Sequence, residues 1–218
     1  MTFIRVGLWL LALLGSMVSL AAETSAPRLV LDKDGIKVWA YEVPGSPLYG
    51  FKAVTTVHSS LSSIVGLITD TEAAPRWLYR TSEVETLQRN DEDMSFTVRV
   101  VTDFPWPFKN REAVVAGKIT QDLRTMQVRI DSRRVGGYGV LKDNVSMPEV
   151  QGSWIFRPMG QGQVEVTMTG HADPGGILPS ALINLLVQEH PYRSLSALRE
   201  LIASPQYQGY RVASIREP

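Results

Sequence analysis

The chain has 218 residues, 22 basic and 22 acidic, with 44% hydrophobic residues and no cysteine. Balanced charge without a basic cluster excludes nucleic-acid binding through a phosphate-seeking surface. The lack of cysteine excludes disulfides and thiolate metal sites, so the domain must stand on a packed core.

Residues 1–22 read as a separate object. Arg5 precedes an apolar run from Val6 to Val18, and "SLAAE" places Ser19 and Ala21 at the small-residue positions of a cleavage site. The run is short for a membrane span, which needs about 20 residues. A cleaved secretory signal is therefore expected, with an uncleaved N-terminal anchor as the alternative. The expected location is periplasmic or secreted. One domain over 27–205 and a tail over 206–218 complete the expected organisation.

"GIKVWAYEV" (Gly35–Val43) and "LYGFKAVTTV" (Leu48–Val57) alternate and are rich in β-branched and aromatic residues, so both read as strands, with Pro44–Pro47 turning between them. In "SSLSSIVGLITD" the period changes. Leu61, Ile64, Val65 and Ile68 fall at helical spacing, with Ser59 or Ser60 placed to cap. "TEAAPRWLYR" reads as a second, short helix broken near Pro75. Six strands are expected next, over Glu83–Gln88, Met94–Thr102, Arg111–Thr120, Thr125–Asp131, Val150–Arg157 and Gln163–His171. Gly-rich Arg134–Glu149 has no period and reads as a long loop, of the kind that serves as a lid. A helix over Ile177–Ala203 closes the domain, and Pro191 is expected to kink it near His190.

Strand faces alternate cleanly. Met94, Phe96, Val98 and Val100 oppose Ser95, Thr97 and Arg99; Met126, Val128 and Ile130 oppose Gln127 and Arg129. Val150, Gly152, Trp154 and Phe156 share a face, as do Val164, Val166 and Met168. Each strand thus has one wet and one apolar side. The order of elements is α+β with a mostly antiparallel sheet. One long helix and two short ones must cover a broad apolar face. A curved sheet gripping a helix can close that face without filling it, which leaves room for an internal hydrophobic cavity; a solid core is the other reading.

Three motifs carry a resemblance to a known family. They are "PWPFKNRE" (Pro105–Glu112), "GSWIFRP" (Gly152–Pro158) and "HADPGGILPSALIN" (His171–Asn184); "GIKVWAYEVPGSPLYGFKAV" and "APRWLYR" agree with them. Over Leu29–Ala203 the chain resembles the START family, the steroidogenic acute regulatory protein-related lipid transfer domains. The resemblance implies a helix-grip fold, in which a curved antiparallel β-sheet wraps around a long C-terminal α-helix, with a lipid-sized tunnel between them. It implies that Pro105 and Pro107 redirect the chain and that Trp106 packs structurally at that corner. The charged pair that some family carriers place around the helix-loop Trp is missing: Ala74 and Leu78 flank Trp77 at those positions. This points to a less polar ligand, or to head-group recognition elsewhere. Arg76 and Arg80 read as surface charges.

Combined with the apolar faces, the resemblance gives a set of candidate ligand-binding residues: Trp77, Phe96, Val98, Met126, Trp154, Met168, Leu182, Leu185, Leu186 and Glu189. Glu189 lies on the apolar stripe of the long helix and reads either as a cavity hydrogen-bond partner or as a solvated edge. His58, His171 and His190 form no metal spacing, and no nucleophile elbow or phosphate loop occurs, so no cofactor, metal or catalytic residue is expected. Asn144–Ser146 matches a glycosylation sequon. The function expected is non-catalytic binding and transfer, or sensing, of one lipid or sterol-like ligand by a monomer in transient contact with a membrane. The alternatives are a helix-grip enzyme of the aromatase/cyclase type and an interaction module with a filled core. The expected gate elements are the Arg134–Glu149 loop, Pro174–Gly176 and the Pro191 kink.

Overall fold

A computed structural model describes residues 26–218; the expected signal segment lies outside the described residues. Ten strands and three helices follow in the order β1 (Arg28–Lys33), β2 (Ile36–Glu42), β3 (Tyr49–His58), α1 (Leu61–Thr69), α2 (Ala74–Trp77), β4 (Thr81–Asn90), β5 (Ser95–Thr102), β6 (Arg111–Gln121), β7 (Val128–Arg134), β8 (Val145–Ser146), β9 (Glu149–Gly160), β10 (Gln163–Asp173) and α3 (Ser180–Ile202). The strands form one sheet in the order β1-β2-β3-β10-β9-β7-β6-β5-β4, and β8 pairs with β6 in parallel. Every other pairing is antiparallel. This is the expected helix-grip architecture.

The local chemistry explains most boundaries. Ser60 caps α1 by accepting a hydrogen bond from the Ser63 amide at 3.1 Å. Pro75 does not break α2 as expected; it sits in the first turn, where its missing N–H costs nothing. Strand β1 escaped the sequence reading because "RLVLDK" is short, carries charge at both ends and bulges against β2. Strand β7 starts at Val128, three residues later than expected, because Met126 has φ +59° and belongs to the turn.

Helix α3 runs through Pro191 and divides its work there. After the proline, Leu195, Leu198, Leu201 and Ile202 are buried against Ile36, Val38, Ala53 and Val57 of β2 and β3 and against Leu61, Ile64 and Val65 of α1. At roughly 1.5–3 kcal/mol per fully buried aliphatic side chain, this half anchors the helix. Among the described residues, no helix is long and apolar enough to cross a membrane.

The outer face of β5 and β6 carries a buried charge network. The Glu112 carboxylate, 3% exposed, accepts from Arg99 Nε at 3.0 Å, the Leu141 amide at 2.9 Å and Asn144 Nδ2 at 3.1 Å. Arg99 also pairs with Glu85 and donates to the Gly139 carbonyl at 3.4 Å. These bonds fix the Gly-rich loop on the outside of the sheet and occupy the amide of the sequon's Asn144.

Leu198→Ala should lower unfolding stability by about 2–5 kcal/mol, through lost burial and the void left beside β2; urea denaturation checks this. Glu112→Ala should cost a comparable amount, because it leaves Arg99 without its buried partner.

Candidate functional site

Between the concave face of the sheet and the first half of α3 lies a cavity of about 860 Å³. Strand alternation builds its walls. β5 contributes Phe96, Val98 and Val100; β6 contributes Ala113, Val115 and Ile119; β9 contributes Val150, Gly152 and Trp154; β10 contributes Met168, Gly170 and Ala172. Trp77 enters from α2 and meets Trp154 edge-on, with ring centroids 5.7 Å apart. Two glycines make room for aromatic rings: a Cβ at Gly117 would lie 2.3 Å from Phe96, and one at Gly170 would lie 2.6 Å from Phe51. Larger residues there would push the rings into the cavity.

The structure sorts the sequence-derived candidates. Trp77, Phe96, Val98, Trp154, Met168 and Leu186 line the cavity. Met126 does not; it packs on the edge of the core from its turn. Leu182, Leu185 and Glu189 also fall outside the wall, and Leu185 is 52% exposed. The reason is helical phase. The cavity side of α3 is Ile183, Leu186, Val187 and His190, an i, i+3, i+4, i+7 set, whereas the expected stripe ran one position earlier and was supported by leucines on the outer side. Glu189 instead pairs with Arg193 one turn along the helix. Of the Arg134–Glu149 loop, only Met147 reaches the cavity, so the glycine cluster is no lid over it.

His190 is the functional candidate the sequence reading passed over. It lines the cavity 6.0 Å from the Phe51 ring, among Ile183, Leu186 and Val187. The side chain is half-buried at the cavity wall. Burial lowers its pKa to about 4, so the ring is neutral at physiological pH. It offers the ligand one donor and one acceptor without charge. The only sequence signal was its position seven residues after Ile183, next to the proline.

The corner between β5 and β6 differs from expectation. Trp106 does not pack there; it is 92% exposed at the tip of a turn closed by the Phe108 amide on the Pro105 carbonyl. Phe104 fills the corner in its place, with the Arg111 guanidinium 4.4 Å above its ring. Arg111 is itself buried, and desolvation lowers its pKa. It donates to the carbonyls of Lys109, Pro174 (3.2 Å) and Gly175 (3.4 Å), so it ties this corner to the turn that leads into α3. Ile177, 97% exposed, stands two residues beyond that turn. As expected, Arg76 is exposed; Arg80 is half-buried and donates to the Asp103 carbonyl at 3.2 Å.

A curved antiparallel sheet closed on its C-terminal helix around an apolar cavity defines a helix-grip ligand-binding domain. No protein-family model matches the chain. An uncharacterised protein of Pseudomonas aeruginosa is 28% identical over 180 residues, covering 79% of this chain and 84% of that protein. A STAR-related lipid transfer protein from Xanthomonas axonopodis superposes with a TM-score of 0.75 at 28% identity, over 83% of this chain and 100% of that one. Human STARD10 and human StAR-related lipid transfer protein 5 give TM-scores of 0.72 and 0.73 at 18% and 13% identity; each covers 83% of this chain, and the matches span 74% and 88% of theirs. The chain has the helix-grip fold of these START domains.

The His190 ring should titrate by NMR with a midpoint near pH 4. Its folded pKa lies below the ordinary value of about 6.5, so the unfolded chain binds the extra proton between those limits. Stability from this group is complete above pH 6.5 and is lost as the pH falls toward 4, by about 3 kcal/mol. His190→Phe should remove that slope.

Proposed function

We propose that this domain is a non-catalytic carrier or sensor of one hydrophobic ligand, exported to the periplasm or secreted, and monomeric. The observation that carries the reading is the apolar cavity between the sheet and the first half of α3. Its volume corresponds to roughly thirty waters at about 30 Å³ each, which suits one sterol-like molecule or one long-chain amphiphile. Proteins of the same fold named as lipid transfer proteins support the ligand class. Neutral His190 suits a hydroxyl, carbonyl or protonated acid better than a fixed charge.

Transfer requires contact with a membrane. Trp106 and Ile177 are large, almost fully exposed, and carried by two loops that Arg111 stitches together. This end of the molecule is suited to shallow insertion at a lipid interface, where Trp is favoured. A ligand leaving a bilayer for the cavity exchanges one apolar environment for another, so net transfer is close to neutral. The carrier reading is preferred to that of an aromatase/cyclase-type enzyme because Phe51, Ile183, Leu186 and Val187 around His190 are apolar. None can orient the ring as a general base requires.

Native mass spectrometry of the protein from its exported compartment should show a one-to-one adduct that solvent extraction identifies as a hydrophobic molecule. A protein that is empty and takes nothing from vesicles refutes the reading. Ala113→Trp should narrow the cavity and weaken uptake while the fold is kept. Trp106→Ala with Ile177→Ser should slow transfer between vesicles by about tenfold or more while leaving binding in solution unchanged.

A further inference from the structure

Residues beyond α3 do not trail away from the domain. Tyr207 and Ile215 are buried, at 1% and 8% exposure. The Tyr207 hydroxyl donates to Asp70 at the end of α1 at 2.8 Å, and its carbonyl accepts from the Ser63 hydroxyl at 2.6 Å. Farther on, the Arg216 amide donates to Gln121 Oε1 at 2.9 Å, and Gln121 Nε2 returns a bond to the Arg216 carbonyl at 2.7 Å. Glu217 then places both carboxylate oxygens on the N-terminus of α1. They accept from the amides of Leu61 at 3.0 Å and Ser62 at 2.8 Å. This is a charge-assisted cap delivered from 155 residues away.

Between these two anchorages the segment is more exposed, with Val212 packed on the core and the Tyr210 ring against Gly66. Gly209 takes φ +71°, and Gln208, Tyr210, Arg211, Ala213 and Ser214 are exposed. This stretch nevertheless borders the cavity, with Tyr210, Val212 and Ser214 in its wall. The Ser214 hydroxyl touches the sulfur of Met94, at the turn between β4 and β5. That turn and the Trp106 corner lie at opposite ends of β5, whose eight residues span roughly 26 Å. The rim here is polar, with Arg89, Asn90, Asp91 and Arg211, unlike the apolar Trp106 end.

We infer that residues 204–217 form a strap across a second mouth of the cavity, facing water rather than a bilayer, and that Glu217 is its latch. The segment is anchored by buried groups at each end and is mostly exposed between them, over light contacts at the cavity rim, the arrangement of a movable lid. The inference rests on the carrier reading only for the identity of what passes through.

The test uses the absence of native cysteine. Met94→Cys with Ser214→Cys in the full domain gives a disulfide that pins the strap, and a thiol reductant releases it. Penetration of the uncharged apolar dye Nile red into the cavity is followed by stopped-flow fluorescence, and lipid extraction from phosphatidylcholine vesicles is followed in parallel. The expected result is that the oxidised pair suppresses dye penetration and reduction restores it. In the cysteine-free chain, Glu217→Gln should accelerate penetration by about tenfold, the ratio equivalent to one ordinary capping interaction. Dye penetration indifferent to the disulfide overturns the strap, and the carrier reading then stands or falls on vesicle extraction alone. Dye gated by the disulfide in a protein that extracts no lipid upholds the strap and removes the carrier reading.

Discussion

The division of α3 at Pro191 is the constraint on which the rest of the molecule depends. The half after the proline presents Leu195, Leu198, Leu201 and Ile202 to β2, β3 and α1 and is fully packed. The half before it presents Ile183, Leu186, Val187 and His190 to the cavity. One helix therefore serves as both core and cavity wall. The packed half supplies the stability that lets the other half stand away from the sheet.

The sheet has a matching division of labour. Its inward residues change from close-packed aliphatics on β2, β3 and the start of β10 to a cavity wall on β5, β6, β9 and the end of β10, where Gly117, Gly152 and Gly170 keep the wall thin. Charge is kept to the outside of that wall. Glu112 with Arg99 secures the Gly-rich loop on the convex face, and Arg111 secures the corner and the approach to α3 through carbonyl oxygens and the Phe104 ring. The cavity keeps a neutral histidine as its polar group on α3, in line with the missing charged pair around Trp77.

Much of this was legible in the sequence. Period-two alternation indicated the faces of β5, β9 and β10, and from them Phe96, Val98, Trp154 and Met168. What was not legible has physical causes. Alternation fixes the face of a strand outright, but in a helix with leucines on several sides the cavity phase is settled by packing, which moved the wall from Leu182 and Leu185 to Ile183 and His190. Trp106 was expected at the corner because the family resemblance implied it, whereas the turn that carries it leaves it exposed and Phe104 is the buried corner residue. Residues 206–218 have no periodicity and read as a tail. Their order comes from single, long-range partners such as Asp70, Gln121 and the α1 amides, which local pattern does not report.

The place of Glu217 in the chain bears on how the molecule is made. Synthesis runs from the N-terminus, and Glu217 is added 156 residues after Leu61, whose amide it accepts from. Strand β3 likewise waits for β10, its partner in the sheet. Until those distant segments are made, α1 relies on Ser60 alone for its cap and β3 on β2 alone for its ladder.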